Sequence, residues 1–229
     1  MIQDPSFTKD LFKFLTDLRA NNNRDWFQAN KTRYEHDVHE PALEFVSDFA
    51  PLLDEISPHY RADPRPVGGS LFRIYRDVRF SKDKSPYKTQ VGIRFRHALG
   101  KDVHAPVFYL HLEPAGSFAG AGIWHPGSVT LAKIRAAIVA YPKDWLSATR
   151  EPPFAAVFEL GGDSLKRAPS GYDPDHPLIE DLKRKDFVCY AMLDDKTVTG
   201  AGFLDEYARI CRSATPFVEF LCRAVDAQF

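Results

Sequence analysis

Between Ser70 and Arg96 the chain carries eight basic side chains, Arg73, Arg76, Arg79, Lys82, Lys84, Lys88, Arg94 and Arg96, against two acids, Asp77 and Asp83. A guanidinium presents a planar fork of N–H donors that matches carboxylate or phosphate, and an ammonium supplies a compact point charge. Tyr75, Tyr87 and Tyr109 add hydroxyls or stacking planes to the same region. Such a set can hold a phosphorylated small molecule, a nucleotide or a short single strand. Slightly downstream, His111 and Glu113 stand two residues apart. A carboxylate beside an imidazole orients it for proton transfer. His111 and Glu113 are therefore the candidate acid/base pair. The candidate ligand-binding set is Arg73, Tyr75, Arg76, Arg79, Lys82, Lys84, Tyr87, Lys88, Arg94, Arg96 and Tyr109.

The charge is local. Residues 61–101 hold 11 basic and 3 acidic residues, whereas the remainder holds 19 basic and 28 acidic. A general polyanion binder is basic overall. One basic segment on an acidic body points instead to a local anion site.

These side chains need elements to hold them. "PSFTKDLFKFLTDLRA" places Phe7, Leu11, Leu15 and Leu18 on one helical stripe. Asn23 is a fitting N-cap for a second helix carrying Trp26, Asn30 and Tyr34 on one face. Pro41 opens a third, with Phe45, Phe49, Leu52 and Leu53 turned inward. From Ser70 the period changes to two. Strands are expected over 70–80, 90–97 and 106–113, with Phe72, Ile74, Val91, Ile93, Phe95, Phe108, Leu110 and Leu112 inward. "GSFAGAGIWH" reads as a fourth strand, in which Gly116, Gly120 and Gly122 let a ligand or another backbone approach closely. Ser128 is placed as the cap of the next helix, "DFVCYAML" as a strand, and two helices close the chain. The class is α+β: N-terminal helices, a central antiparallel sheet (a meander from about residue 70 to 125, plus a strand near 186–193), and C-terminal helices. No linker divides residues 1–229, so one domain is expected.

In perfect register Arg76 falls on the apolar face, where it would need an acid or carbonyls; a bulge near Asp77 would turn it outward. The loop over 161–177 is too rich in Gly and Pro for regular structure, and Asp173, Asp175 and His176 read as turn residues. Lys166 and Arg167 just upstream are further cations for an anion site.

Several chemistries are disfavoured. The G-x-x-x-x-G-K-[ST] phosphate loop, a G-x-G-x-x-G turn after a strand and a G-x-S-x-G elbow do not occur. His111 and Glu113 with His104 or His125 make a poor metal signature, so neither metal nor cofactor is expected. Cys189, Cys211 and Cys222 sit in apolar runs and read as buried thiols. With no secretory signal and no membrane-length apolar run, a cytoplasmic protein is expected.

The pieces "NNNRDWF", "FRIYRDVRFSKDKSPYK", "YLHLEP", "GIW", "LKRAPSGY" and "DHP" resemble the domain of unknown function 2461 family. They lie between Asn21 and Pro177, most of the chain. The resemblance implies a single cytosolic domain and brings no activity, cofactor or catalytic residue. Function therefore rests on the residues themselves. The leading expectation is binding, with turnover as an extension, of an anionic small molecule or nucleotide. The alternatives are a single-stranded nucleic-acid module and an interaction protein docking an acidic partner.

Overall fold

The computed structural model describes residues 5–99 and 105–229. His104 therefore lies outside the described residues. Helix α1 (Lys9–Ala20) begins at Thr8, whose hydroxyl accepts from the Asp10 amide at 3.3 Å. Asn23 caps α2 (Arg24–Ala29), its side-chain oxygen accepting from the Trp26 amide at 2.9 Å. From there α3 (Lys31–Tyr34), one π-helical turn (Glu35–His39) and α4 (Glu40–Ile56) follow without a break. The third helix is thus longer than its proline suggested, and Pro41 occupies the first turn of α4 rather than opening the helix.

The sheet has strands β1 (Tyr60–Arg61), β2 (Val91–His97), β3 (Val107–Leu112), β4 (Ser117–Ile123), β5 (Glu159–Gly161) and β6 (Phe187–Leu193), in the order β1-β2-β3-β4-β6-β5. Every pairing is antiparallel. The remaining helices are α5 (Ser128–Ala140), α6 (Pro142–Arg150), α7 (Ile179–Leu182), α8 (Asp195–Val198), α9 (Phe203–Ser213) and α10 (Thr215–Ala224). The fold is α+β, with helices at both ends. Gly127, not Ser128, is the cap residue of α5; Ser128 is already helical and makes no capping bond.

One face of the sheet is packed. Ile93, Leu110, Ala119 and Ala191 face one another across four strands, and Phe95, Phe108, Ala121 and Cys189 form the next row. All eight are buried. Phe49 of α4 and Tyr207 of α9 cover this face, with ring centroids 4.7 and 6.1 Å from Phe95. Each such aromatic contributes roughly 2–3 kcal/mol through area removed from water. One hydrophobic cluster runs from Phe7 to Val225, joining N-terminal and C-terminal helices through the sheet.

The segment 70–80 departs from expectation. It is not a strand: only isolated bridges, Leu71 to Ile93 and Tyr75 to Tyr87, tie it down. Its pairing partner changes midway. The Phe72 amide donates to the Gly92 carbonyl at 2.9 Å, but the Arg76 amide donates to the Pro86 carbonyl at 2.9 Å. Residues 74–88 thus form an arm whose base, Ile74 and Tyr87, is buried in the core. The shift puts Leu71 inward beside Ile93 and turns Phe72 toward the opposite face. At the arm's end Phe80 is 95% exposed. Gly116 likewise belongs to the β3–β4 turn, where its amide donates to the Glu113 carbonyl at 2.9 Å.

Candidate functional site: an aromatic, basic groove on the open sheet face

The second face of the sheet holds a groove of about 600 Å³, and among the described residues none that lines it is helical. Register explains its shape. Arg94 pairs with Tyr109, Tyr109 with Gly120, and Gly120 with Tyr190, so one row crosses four strands. With strands about 4.8 Å apart, the two tyrosines start about 10 Å from each other across a residue with no side chain. Each also leans away from that gap. A Cβ on Gly92 would fall 2.7 Å from the Tyr109 hydroxyl. The ring of Tyr190 lies over Gly161. The floor is therefore main chain at Gly122 and at Gly120, where the Phe118 ring comes within 3.6 Å of the position a Cβ would take. Gly122 has φ 118°, and a Cβ there would strike the Phe187 carbonyl, so only glycine fits.

The walls are aromatic. Phe72 and Tyr109 have centroids 6.0 Å apart, Tyr109 and Phe118 5.8 Å, and Phe118 and Tyr190 6.4 Å. Trp124, 63% exposed, stands at the far end. Into this setting Arg94 brings a cation. Its guanidinium lies 5.0 Å from the Phe72 centroid. Its Nε is buried without a hydrogen-bond partner, and among the described residues it faces no carboxylate. Burial, and then Arg96, lower its pKa below the usual guanidinium value, while Tyr109 acts in the opposite sense. Arg96 is better served, donating to the carbonyls of Gly68 and Gly69 at 3.0 and 3.2 Å.

Behind Tyr109 runs a chain of polar groups. Its hydroxyl is 3.2 Å from Nδ1 of His111, Nε2 of His111 is 3.1 Å from Oε2 of Glu113, and Oε1 of Glu113 accepts from Arg19 at 2.6 Å. A carboxylate can only accept, so Nε2 donates, and in the neutral ring Nδ1 accepts from the phenol. The His111 ring is stacked 4.6 Å from Phe118. His111 and Glu113 are thus brought together as expected, but only Tyr109 of this chain lines the groove. Burial raises the Tyr109 phenol to about 12, with Arg94 pulling the other way.

The other predicted cations are distributed elsewhere. Arg76, Tyr87 and Lys88 line a smaller cleft of about 400 Å³ with Arg19 and Asn22. Arg76 is partly buried and ion-paired to Asp83. The Ser85 hydroxyl and amide, and then Arg76, hold the Asp83 carboxyl well below its usual range. Lys88 donates to the Arg73 carbonyl at 2.9 Å and sits 5.3 Å from the Phe72 centroid; burial, then Arg73, lower its pKa. Arg79 is paired with Asp77 at 2.6 Å, and Lys84 donates to the Val78 carbonyl at 2.9 Å. Arg73, Tyr75, Arg79, Lys82 and Lys84 line neither cavity.

One structural device escaped sequence reasoning. Asp186 is fully buried, and its Oδ1 accepts from the His125 amide at 2.8 Å and faces His125 Nδ1 at 3.1 Å. Its Oδ2 accepts from the Asp163 amide at 2.9 Å. The carboxylate thereby pins two loops at the groove's rim, those carrying Trp124 and Gly162. His125 takes φ 49° to reach it. No group of three or more His, Cys, Asp or Glu among the described residues is arranged to hold a metal ion. No helix among them is long and apolar enough to cross a membrane.

Fold and site together define an α+β protein whose antiparallel sheet is covered by helices on one face and opens a basic, aromatic groove on the other. The sequence profile of the conserved hypothetical protein family DUF2461 matches residues 10–220, and the chain belongs to that family. No curated protein and no solved structure matches it.

Proposed function

We propose that the protein binds an anionic small molecule, carrying phosphate or carboxylate, in the groove on the open sheet face. The observation that carries this reading is Arg94. A partly buried guanidinium with no acid and an unpartnered Nε is costly to hold, and an anion in the groove relieves the cost. Arg96 adds charge from the same strand face. Turnover is an extension of the same reading. Tyr109 is the group placed to exchange a proton with a bound ligand, and His111, oriented by Glu113, is placed to take that proton up. The cytosol is the compartment we assign, supported by three cysteines held as buried free thiols.

The test is a thermal-shift screen with inorganic phosphate, sugar phosphates, nucleotides and small carboxylates, on wild type and Arg94→Met. An anion present at 100 times its Kd stabilises the wild type by about 2.7 kcal/mol. Loss of one charge-assisted contact costs about 1.5–3 kcal/mol of binding, so the variant's stabilisation should fall by about half or more. Equal shifts in both proteins, or none with any anion, would refute the reading.

A second reading rests on Phe80. This ring, 95% exposed, has the Arg79 guanidinium 5.8 Å from its centroid, with Lys82 and Lys84 nearby in the chain. An exposed aromatic among cations is the arrangement on which single-stranded nucleic acid stacks. Oligonucleotide binding that falls log-linearly with salt and is lost in Phe80→Ala would support it. Salt-insensitive or absent binding would leave the groove as the site.

A further inference from the structure

Resting on that reading, we infer that the groove's ligand joins a flat aromatic ring to its anionic group. Three independent features of the groove point the same way. First, Gly122 of β4 leaves main chain bare on the groove floor beside the Phe118 ring, so a flat body can lie directly against it. Second, Phe118 stands 5.8 Å from Tyr109 and 6.4 Å from Tyr190, so the three rings make one aromatic wall along that floor. A flat ring can meet such a wall along its whole edge. A slender aliphatic anion would leave the aromatic walls untouched. Third, the cation sits at one end of the slot only. Arg94 and Arg96 are both on β2, whereas Trp124 follows β4 and Tyr190 belongs to β6.

The ligand must therefore be bipolar, with its charge at the β2 end and its ring over β4 toward β6. The volume, about 600 Å³, suits a body of mononucleotide size. Nucleoside monophosphates and aromatic carboxylates share the required chemistry. They differ in anion and size, and the test below separates them.

Trp124 reports on the ring directly. Of the three tryptophans it is the one largely exposed at the groove, while Trp145 is fully buried and Trp26 is partly buried in the core. The experiment is a fluorescence titration of the full chain with three groups of compounds. The first joins both parts: the four common nucleoside 5′-monophosphates, indole-3-acetate and 4-hydroxybenzoate. The second has the anion alone: inorganic phosphate, ribose 5-phosphate and acetate. The third has the ring alone: adenosine and indole. Each titration is repeated on Trp124→Ala, followed by ligand-induced thermal shift, and on Arg94→Met.

At least one joined compound should bind about tenfold or more tighter than either of its halves. Trp124→Ala should weaken that compound about tenfold while leaving the anion-only group unchanged. Arg94→Met should weaken every anion. Tightest binding among nucleotides would mark a phosphate ligand, and among the arenes a carboxylate ligand. If ribose 5-phosphate binds as well as the nucleotides and Trp124→Ala changes nothing, the ring is not read: this inference fails and the anion site stands. If adenosine or indole binds as well as its anionic counterpart, the anion site itself fails and the inference falls with it. Trp124 is exposed, so its replacement leaves the fold intact, and unchanged far-ultraviolet dichroism verifies this.

Discussion

The Tyr109 hydroxyl lies 3.2 Å from Nδ1 of His111, two residues on along the same strand and on the same face. The contact links the groove, which Tyr109 lines, to Glu113 and on to Arg19, which lines the smaller cleft. A polar chain thus passes from one cavity to the other beneath Phe118.

That partly buried phenol gives the first prediction. Burial pushes Tyr109 up to about 12, against an ordinary tyrosine value near 10. The folded value is raised, so the stabilising contribution is complete below about pH 10 and is lost as pH rises through about 12. The loss amounts to roughly 2–3 kcal/mol. Subtracting the absorbance titration of Tyr109→Phe at 295 nm from that of the wild type should isolate one phenol with its midpoint near 12. A midpoint near 10 would mean that the hydroxyl is exposed to water.

Arg94 gives a second, and here binding and stability part company. Arg94→Met keeps an aliphatic stem against Phe72 and removes a partly buried, unpartnered charge. The free variant should unfold in urea within about 1 kcal/mol of wild type, or above it, even though the proposed anion site would be gone. A loss beyond about 2 kcal/mol would show that the guanidinium has a structural partner.

At the groove's rim, Asp186→Ala should behave in the opposite way. It leaves the His125 and Asp163 amides without their acceptor. The cost should be about 3–5 kcal/mol in denaturant unfolding, and groove binding should fall with it. Asp77→Ala, which removes the exposed partner of Arg79, should leave the unfolding midpoint almost unchanged.

The cysteines give a prediction that needs no ligand. Burial raises Cys211 to about 12 and Cys222 to about 11, and pushes Cys189 higher still. At pH 8 an aromatic disulfide reagent should therefore find almost no thiolate in the folded protein, and three equivalents after denaturation. Fast reaction of even one thiol under native conditions would contradict the packing of the inner sheet face.

Much of the groove was legible in the sequence, and the reason is parity. Arg94 and Tyr109 alternate with Ile93, Phe95, Phe108 and Leu110, whose burial leaves the polar side chains only the other face. Parity holds only while the strand is continuous. Over 70–80 the chain exchanges one pairing partner for another, so Phe72 joined the groove and Leu71 the core, against the alternation. The arm's cations form one cluster in sequence, yet Asp77 and Asp83 neutralise Arg79 and Arg76 within the arm itself. His125 and Asp186 are 61 residues apart, and Arg19 and Glu113 are 94 apart. Pairs at such separations carry no local periodicity, so only the folded chain reveals them.

The bare floor over Gly120 and Gly122 makes the protein suited to paired alleles and tailored ligands. Nothing can be built at Gly122, whereas a Cβ at Gly120 would meet the Cys189 carbonyl at 3.2 Å and the Phe118 ring at 3.6 Å, so the β6 main chain has to give by a few tenths of an ångström to admit it. If the groove binds the ligand proposed above, a single methyl there would raise the floor beneath it, and Gly120→Ala should reject the native compound yet accept an analogue thinned at the matching edge. Expressed beside the unaltered chain, such a pair would let one copy be addressed in a living cell without touching the other.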